Sequence, residues 1–109
     1  MDLTKAIPDE EFEAPEFRFV HTSTPWGPAS AAYTFTRGVI LYSALSHGGF
    51  KVSPTKLAEM PPALRVKGGW YEEDCEWAKV ALAFPEIFPR SSVESALATA
   101  REYFPEVLA

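Results

Sequence analysis

Residues 39–52, VILYSALSHGGFKV, encode the hairpin that decides the fold class. Their first half is apolar at consecutive positions, which is typical of a central strand covered by helices. The tract SHGG at 46–49 predicts a turn, and Phe50 to Val52 predicts the returning strand. The stretch therefore predicts a central strand that is joined by a hairpin turn to a second, antiparallel strand.

Two further strands are predicted upstream of this hairpin. Apolar and polar residues alternate over 16–21 and again over 31–36, which is the period of a strand. The tract TPWGP at 24–28 predicts a rigid turn between them, because two prolines fix φ and glycine permits the bend. Arg37-Gly38 predicts the next hairpin turn. The first half of the chain is therefore expected to be a meander of strands.

Helical patterns follow the strands. Ser53 and Pro54 predict a short helix that ends near Met60, and the tract SSVE at 91–94 matches a capping box at the start of the last helix. Between them, a longer helix is predicted from Tyr71 to Phe84, with the acids at 72–74 in its first turn. Strands followed by helices predict an α+β domain. We expect an antiparallel sheet of three or four strands with the two longer C-terminal helices packed on one face.

The chain is expected to form one domain over residues 16–109, preceded by an acidic arm over residues 1–15. The arm contains Pro8 and Pro15 and shows no sustained period, so it is expected to become ordered only by docking. Its apolar residues Ile7 and Phe12 favour such docking.

Composition narrows the classes of function. The net charge of −5 argues against nucleic acid as the main partner. No apolar run reaches the roughly 18 residues of a membrane span, so no membrane association is expected. The single cysteine excludes an internal disulfide and fits a reducing compartment, which predicts a cytoplasmic protein. The spacing of its two histidines and its glycines matches neither a metal site nor a phosphate loop, so no cofactor is expected.

Two tracts concentrate polar chemistry, SHGGF at 46–50 and GGWYEEDCEW at 68–77. An exposed imidazole at His47 could act as a general acid or base together with Asp74 or Glu73, as in a small hydrolase or transferase. Asp74 is the acid expected to face inward. The alternative is an ordinary turn followed by an acid-rich helix start. Cys75 lies on the apolar stripe of the predicted helix and is expected to be a core residue. The neighbouring acids would suppress its thiolate, which argues against a catalytic cysteine.

Aromatic residues accompany both tracts and predict a contact surface. Trp and Tyr offer a large contact area at low entropic cost. A protein-binding surface is therefore predicted from six residues of mixed aromatic and polar character. They are Trp26, His47, Trp70, Tyr71, Glu73 and Asp74.

A second alternative is nucleic-acid binding through the basic stretch at 51–67. That stretch holds Lys51, Lys56, Arg65 and Lys67 against Glu59. The ordinary interpretation of such a run is a solvated face, and the overall acidity of the chain ranks this alternative last.

The tracts at 24–28, 46–50 and 69–77, together with ALAFP at 81–85, resemble an uncharacterised family of small proteins or domains. Its members are carried on plasmids, integrating elements and phages of proteobacteria, and the resemblance spans residues 22–89. It implies an accessory role in a mobile element, and together with the predicted contact surface it favours a protein that acts by protein–protein binding. Inhibition of a host defence system such as CRISPR or restriction is included in that implication. It supplies no catalytic residues.

Overall fold

The computed structural model describes residues 3–109 and contains one antiparallel sheet of five strands. The strands are arranged in the sheet in chain order, so each pairs with its sequence neighbour. Their bounds are Glu16–Thr24 for β1, Gly27–Thr36 for β2, Val39–Ala44 for β3, Gly48–Val52 for β4 and Trp70–Glu72 for β5. The predicted α+β class is confirmed, whereas the predicted number of three or four strands is too small.

Tight turns join the first three strands, as the sequence predicts. In the first turn, Thr24 Oγ1 accepts a hydrogen bond from Trp26 N at 3.1 Å and donates one to Gly27 O at 2.6 Å. Gly27 and Gly38 have φ of +107° and +87°, a region that favours glycine. Each turn therefore reverses the chain at the position where the sequence places a glycine.

β5 lies where the sequence pattern predicts the start of a helix. Trp70–Glu72 pairs antiparallel with β4 instead, after Gly68 and Gly69 turn the chain with φ of +88° and +76°. The pairing sets Tyr71 opposite Phe50 in the core. Burial of this aromatic side chain outweighs the weak local preference of the following acids for a helix start.

The α-helices are α1 (Pro54–Glu59), α2 (Trp77–Ala83) and α3 (Arg90–Tyr103). α1 begins as predicted, since Ser53 Oγ accepts a hydrogen bond from Lys56 N at 3.3 Å. α2 covers only the second half of the helix predicted from Tyr71 to Phe84. Within residues 3–109, every helix falls short of the length or apolar character that a bilayer-spanning segment requires.

The predicted capping box at 91–94 does not begin α3, because the helix already starts at Arg90 after Pro89. The cap comes from a distant residue, since Asp9 Oδ1 accepts a hydrogen bond from Ser91 N at 2.9 Å. This bond holds the pKa of the Asp9 carboxyl below its ordinary value. The start of α3 is therefore capped through tertiary structure.

The acidic segment before β1 lies against the rest of the protein. Ile7 N donates a hydrogen bond to Phe88 O at 3.0 Å, and the rings of Phe12 and Phe35 lie 6.5 Å apart. Both apolar residues expected to favour docking therefore contact the domain. Residues 1 and 2, where the predicted arm begins, lie outside the described part of the chain.

The core occupies one face of the sheet. A cross-strand row on that face runs through Phe17, Tyr33, Leu41, Phe50 and Tyr71, one residue from each strand. α2 contacts β4 and β5, and α3 packs against α2. The buried residues of both helices belong to the same core as β3 to β5. They are Ala78, Val80, Ala81 and Leu82 from α2, and Val93, Ala96, Leu97 and Ala100 from α3.

Candidate functional site

The two polar tracts meet at the N-terminal end of β4. His47 lies in the link between β3 and β4, and Glu73 follows β5. Because β4 pairs with both strands, the fold places His47 Nδ1 3.8 Å from Glu73 Oε1. Glu73 N also donates a hydrogen bond to Gly48 O at 3.0 Å. The two side chains are 57% and 47% exposed, so the pair is open to solvent and to a partner.

Gly48 and Gly49 are strand residues and do not form the turn that the sequence predicts. Their φ values are not positive, and both belong to β4. A glycine is required at position 49 for lack of space, because a Cβ there would collide with the carbonyl oxygen of Tyr71 and with the ring of Trp26. The absence of a side chain at Gly49 therefore allows Trp26 to approach the sheet closely.

Trp26 belongs to an aromatic cluster on the sheet face opposite the core. Its ring makes an edge contact with Trp70 at a centroid distance of 5.6 Å, and Tyr42 lies 5.8 Å from Trp70. Lys51 Nζ lies 4.8 Å from the centre of the Trp70 ring and donates a hydrogen bond to Gly68 O at 2.6 Å. Trp26, Tyr42 and Trp70 are all partly exposed. We give the name aromatic–acid surface to two solvent-accessible groups taken together, namely the aromatic side chains Trp26, Tyr42 and Trp70, and the His47–Glu73 pair at the N-terminal end of β4.

The sequence does not reveal the contributions of Tyr42 and Lys51. Strand register places Tyr42 opposite Gly49 and places Lys51 opposite Trp70. Both residues therefore face the same side as Trp70. The period-two pattern contains this signal, but it can be read only once the pairing partner of each strand is known.

Tyr71 is a structural residue and cannot form part of a contact surface, contrary to the prediction. Its side chain has no exposed area. Its hydroxyl donates to Leu64 O at 2.8 Å and accepts from Val66 N at 3.0 Å. Burial raises the pKa of this phenol above its ordinary value. Tyr71 thus ties β5 to the segment that follows α1.

Glu72 has a structural role that the sequence pattern does not predict. Its Oε2 accepts a hydrogen bond from Asp74 N at 2.7 Å, and its Oε1 accepts from Cys75 N and Glu76 N at 2.6 and 2.7 Å. Partial burial disfavours the charged form, but the three donors outweigh this effect and lower the pKa of Glu72. The carboxylate therefore holds the turn that leads into α2.

Glu72→Gln is expected to lower the free energy of unfolding by about 1–2 kcal/mol at neutral pH, since it removes a charged cap. The folded pKa lies below the unfolded one, so this contribution is complete above the unfolded pKa and is lost as pH falls through the folded pKa. Urea denaturation across the acidic range measures it. Glu94→Gln, on the exposed side of α3, is the control; an equal loss in both variants would contradict this role.

The other residues of the acidic tract do not converge on His47. Asp74 is exposed, contrary to the prediction that it faces inward. Burial and the neighbouring carboxylates, Glu72 first among them, raise the pKa of the Cys75 thiol. Cys75 packs against the core, in agreement with its predicted role. Glu73 is therefore the acid of this tract that the fold brings to His47.

Three of the four residues in the basic stretch make contacts within the protein. Arg65 Nε donates to Met60 O at 2.9 Å, and Lys56 Nζ lies 3.4 Å from Glu59 Oε1. Lys51 contacts the ring of Trp70 and the carbonyl oxygen of Gly68. Among residues 3–109, no group of three His, Cys, Asp or Glu side chains is arranged to hold a metal ion.

Comparison with known proteins identifies the family of the chain. No curated protein and no solved structure gave a significant match. Residues 20–109 match the family described as domain of unknown function DUF7007. This range includes α3, which the resemblance over residues 22–89 left out. The chain therefore belongs to the DUF7007 family.

Proposed function

We propose that this protein acts by binding another protein through the aromatic–acid surface. Two observations carry the proposal: the edge-to-face contact of the partly exposed rings of Trp26 and Trp70, and the solvent-exposed pair of His47 and Glu73 at the N-terminal end of β4. Tryptophan and tyrosine are among the residues that dominate the binding energy of protein interfaces, whereas polar groups typically form the rim.

The aromatic part of the surface is held in place before any partner binds. Trp26 is positioned by the hydrogen-bonded turn at Thr24 and lies against Gly49. Trp70 is fixed by strand pairing with Lys51 and by the ammonium group above its ring. Side chains that are already ordered lose little entropy on binding, which favours affinity.

The polar part of the surface supports specificity. His47 and Glu73 are both about half exposed, so a partner must offer a hydrogen-bonding group to each or leave it unsatisfied. Asp74 follows Glu73 in the chain and is exposed, so it adds a second carboxylate close to Glu73. We therefore expect a partner surface with an apolar centre and at least one basic residue at its rim.

The resemblance noted in the sequence extends this proposal to a biological setting. The protein is proposed to be an accessory factor of a mobile element that occupies a surface on a host or element-encoded protein. A component of a defence system such as CRISPR or restriction is one such target. The resemblance supports this part of the proposal, and the geometry supports the binding mode.

The experiment is affinity capture from the native host with the wild-type chain, followed by identification of the bound protein by mass spectrometry. The Trp70→Ala/Glu73→Ala double variant is expected to weaken binding to the purified partner by at least about 30-fold, the loss typical of interface hot spots. The control is Glu102→Ala/Tyr103→Ala, which removes one acidic and one aromatic side chain from α3. Circular dichroism establishes that each variant is folded. Unchanged capture by the Trp70/Glu73 variant would refute the proposal.

A second candidate function is a small hydrolase or transferase that uses His47 with Glu73. The contact between Nδ1 and Oε1 favours it, because a carboxylate beside an imidazole can orient the ring for proton transfer. Their distance of 3.8 Å exceeds hydrogen-bond reach, which ranks this candidate below protein binding. His47→Ala is expected to abolish turnover of such a substrate while leaving thermal unfolding unchanged, because the ring is exposed. A variant that retains full turnover would exclude the imidazole as a catalytic group.

A further inference from the structure

The edge strand β1 has the features of a docking site for another strand. β1 lies at the end of the sheet and pairs with β2 alone. It is nine residues long and contains no proline. Edge strands in soluble proteins are usually shortened or interrupted, because their free N–H and C=O groups invite pairing with another chain. The register shift between Phe19 and Thr22 interrupts regular pairing, so the available segment is Glu16–Phe19.

The apolar face of β1 is not covered within the described part of the chain. The core row ends at Phe17, which is 46% exposed, whereas Phe50 in the same row is 4% exposed. Phe19 is 83% exposed and makes an edge contact with Phe17 at 5.0 Å. A strand added beside β1 would place one apolar residue next to Phe17 and another next to Phe19.

The opposite face of β1 carries two exposed charged residues, Glu16 and Arg18. Arg18 ends the row that runs through Ala32, Tyr42, Gly49 and Glu72. Arg18 is exposed, and its guanidinium has no hydrogen bond or ion pair with residues 3–109. A carboxylate directly across from it on an added strand would form a favourable cross-strand pair.

We infer that β1 binds an extended strand of a partner protein in which an acidic residue lies between two apolar residues. Main-chain hydrogen bonds join the two edges, the apolar residues cover Phe17 and Phe19, and the carboxylate pairs with Arg18. This mode of binding is independent of the aromatic–acid surface, because it uses the main chain of β1 and none of that surface's side chains.

Two antiparallel registers would bring the phenylalanines of two copies of the chain together, and each has an unfavourable feature. An antiparallel two-fold pairing that sets Phe17 of one chain against Phe19 of the other also sets Arg18 directly against Arg18. Like charges at directly opposite positions destabilise a strand pair. The register that sets Glu16 against Arg18 brings Phe19 opposite Pro15, which has no N–H group to donate. The strand that fits best is therefore acidic where this chain is basic.

The chain itself supplies a defined probe for this inference. In the Arg18→Glu variant, β1 has an acidic residue between two phenylalanines, which is the proposed pattern. Wild-type protein and the variant should each remain monomeric, whereas their equimolar mixture should form a 1:1 dimer of twice the 12.1 kDa chain mass. Sedimentation equilibrium at concentrations up to about 1 mM measures the mass and detects even weak pairing.

Two further measurements test the mode of pairing. Phe19→Ser introduced into both proteins should weaken the mixed dimer at least about tenfold, because it removes apolar contact area. Since Phe19 is exposed, the substitution should leave the fold intact, which circular dichroism checks. Added salt should also weaken the mixed dimer. A mixture that stays monomeric, a wild-type chain that dimerises alone, or a mixed dimer unaffected by Phe19→Ser would overturn the inference.

Discussion

Phe50→Ala is expected to lower the free energy of unfolding by about 3–5 kcal/mol, the largest single-site effect on stability expected here. Phe50 is 4% exposed and lies on β4, between two paired strands. Its ring is 5.3 Å from that of Phe35 and 5.7 Å from that of Phe88, which are 4.9 Å from each other. These three rings join β2, β4 and the segment before α3. Truncation would leave a cavity at the centre of that contact.

Urea denaturation followed by circular dichroism measures the loss. Phe19→Ala removes the same atoms from an edge strand, where the ring is 83% exposed, and should change stability by no more than about 0.5 kcal/mol. A small effect at Phe50, or similar effects at both positions, would contradict the packing described for the core.

Gly49→Ala is expected to have the second largest effect, a loss of about 1–3 kcal/mol together with displacement of Trp26. The added methyl group would meet the carbonyl oxygen of Tyr71 and the ring of Trp26, and would lie 2.9 Å from the Cα of Glu72. Two of these atoms belong to the backbone of β5 and cannot move without disturbing its pairing with β4. The indole of Trp26 can move only by leaving Trp70.

Two measurements separate these effects. Thermal unfolding reports the loss of stability, and tryptophan fluorescence in the folded protein reports the displacement of Trp26. Ser43→Ala provides the control at an exposed position of the adjacent strand β3, and should change neither quantity appreciably. Wild-type stability and fluorescence in Gly49→Ala would show that the aromatic cluster does not depend on this close approach. Because Trp26 belongs to the aromatic–acid surface, the variant should also bind a partner more weakly.

The sequence predicts the meander of β1 to β4 well, because each strand has local information. Alternation identifies β1 and β2, a run of consecutive apolar residues identifies β3, and the hairpin pattern identifies β4. The turns at Gly27 and Gly38 use glycines at positive φ. The start of α1 is predicted for a similar reason, because Ser53 caps the helix by accepting a hydrogen bond from the N–H of Lys56, three residues later. These signals act over a few residues and do not depend on distant parts of the chain.

Prediction fails where a distant contact overrides the local pattern. The acids at 72–74 favour the start of a helix, yet pairing with β4 makes Trp70–Glu72 a strand and buries Tyr71. The capping box at 91–94 is a good local match, but Asp9 caps α3 instead. In both places, the deciding partner is far away in the sequence. A short-range pattern cannot represent it.

The candidate site also has features that the sequence predicts and features that depend on strand pairing. His47 and Glu73 could be proposed as neighbours from their types and tracts, but their contact depends on β4 pairing with both β3 and β5. Tyr42 and Lys51 could not be assigned to the aromatic cluster, because a shift of one residue in register would place them on the other face. The prediction that Tyr71 belongs to a contact surface is wrong because burial, which separates a structural aromatic residue from an exposed one, is a property of the folded chain.

The sequence by itself determined the α+β class, the first four strands and the presence of chemistry in two tracts. It did so because hydrophobic period, turn residues and helix caps act locally. Only the tertiary structure decided which side chains share a face, which acids cap helices, and why Gly49 must lack a side chain. Those features depend on strand register and on contacts between residues that are distant in the chain, and the free energy that selects them comes from packing of the whole domain.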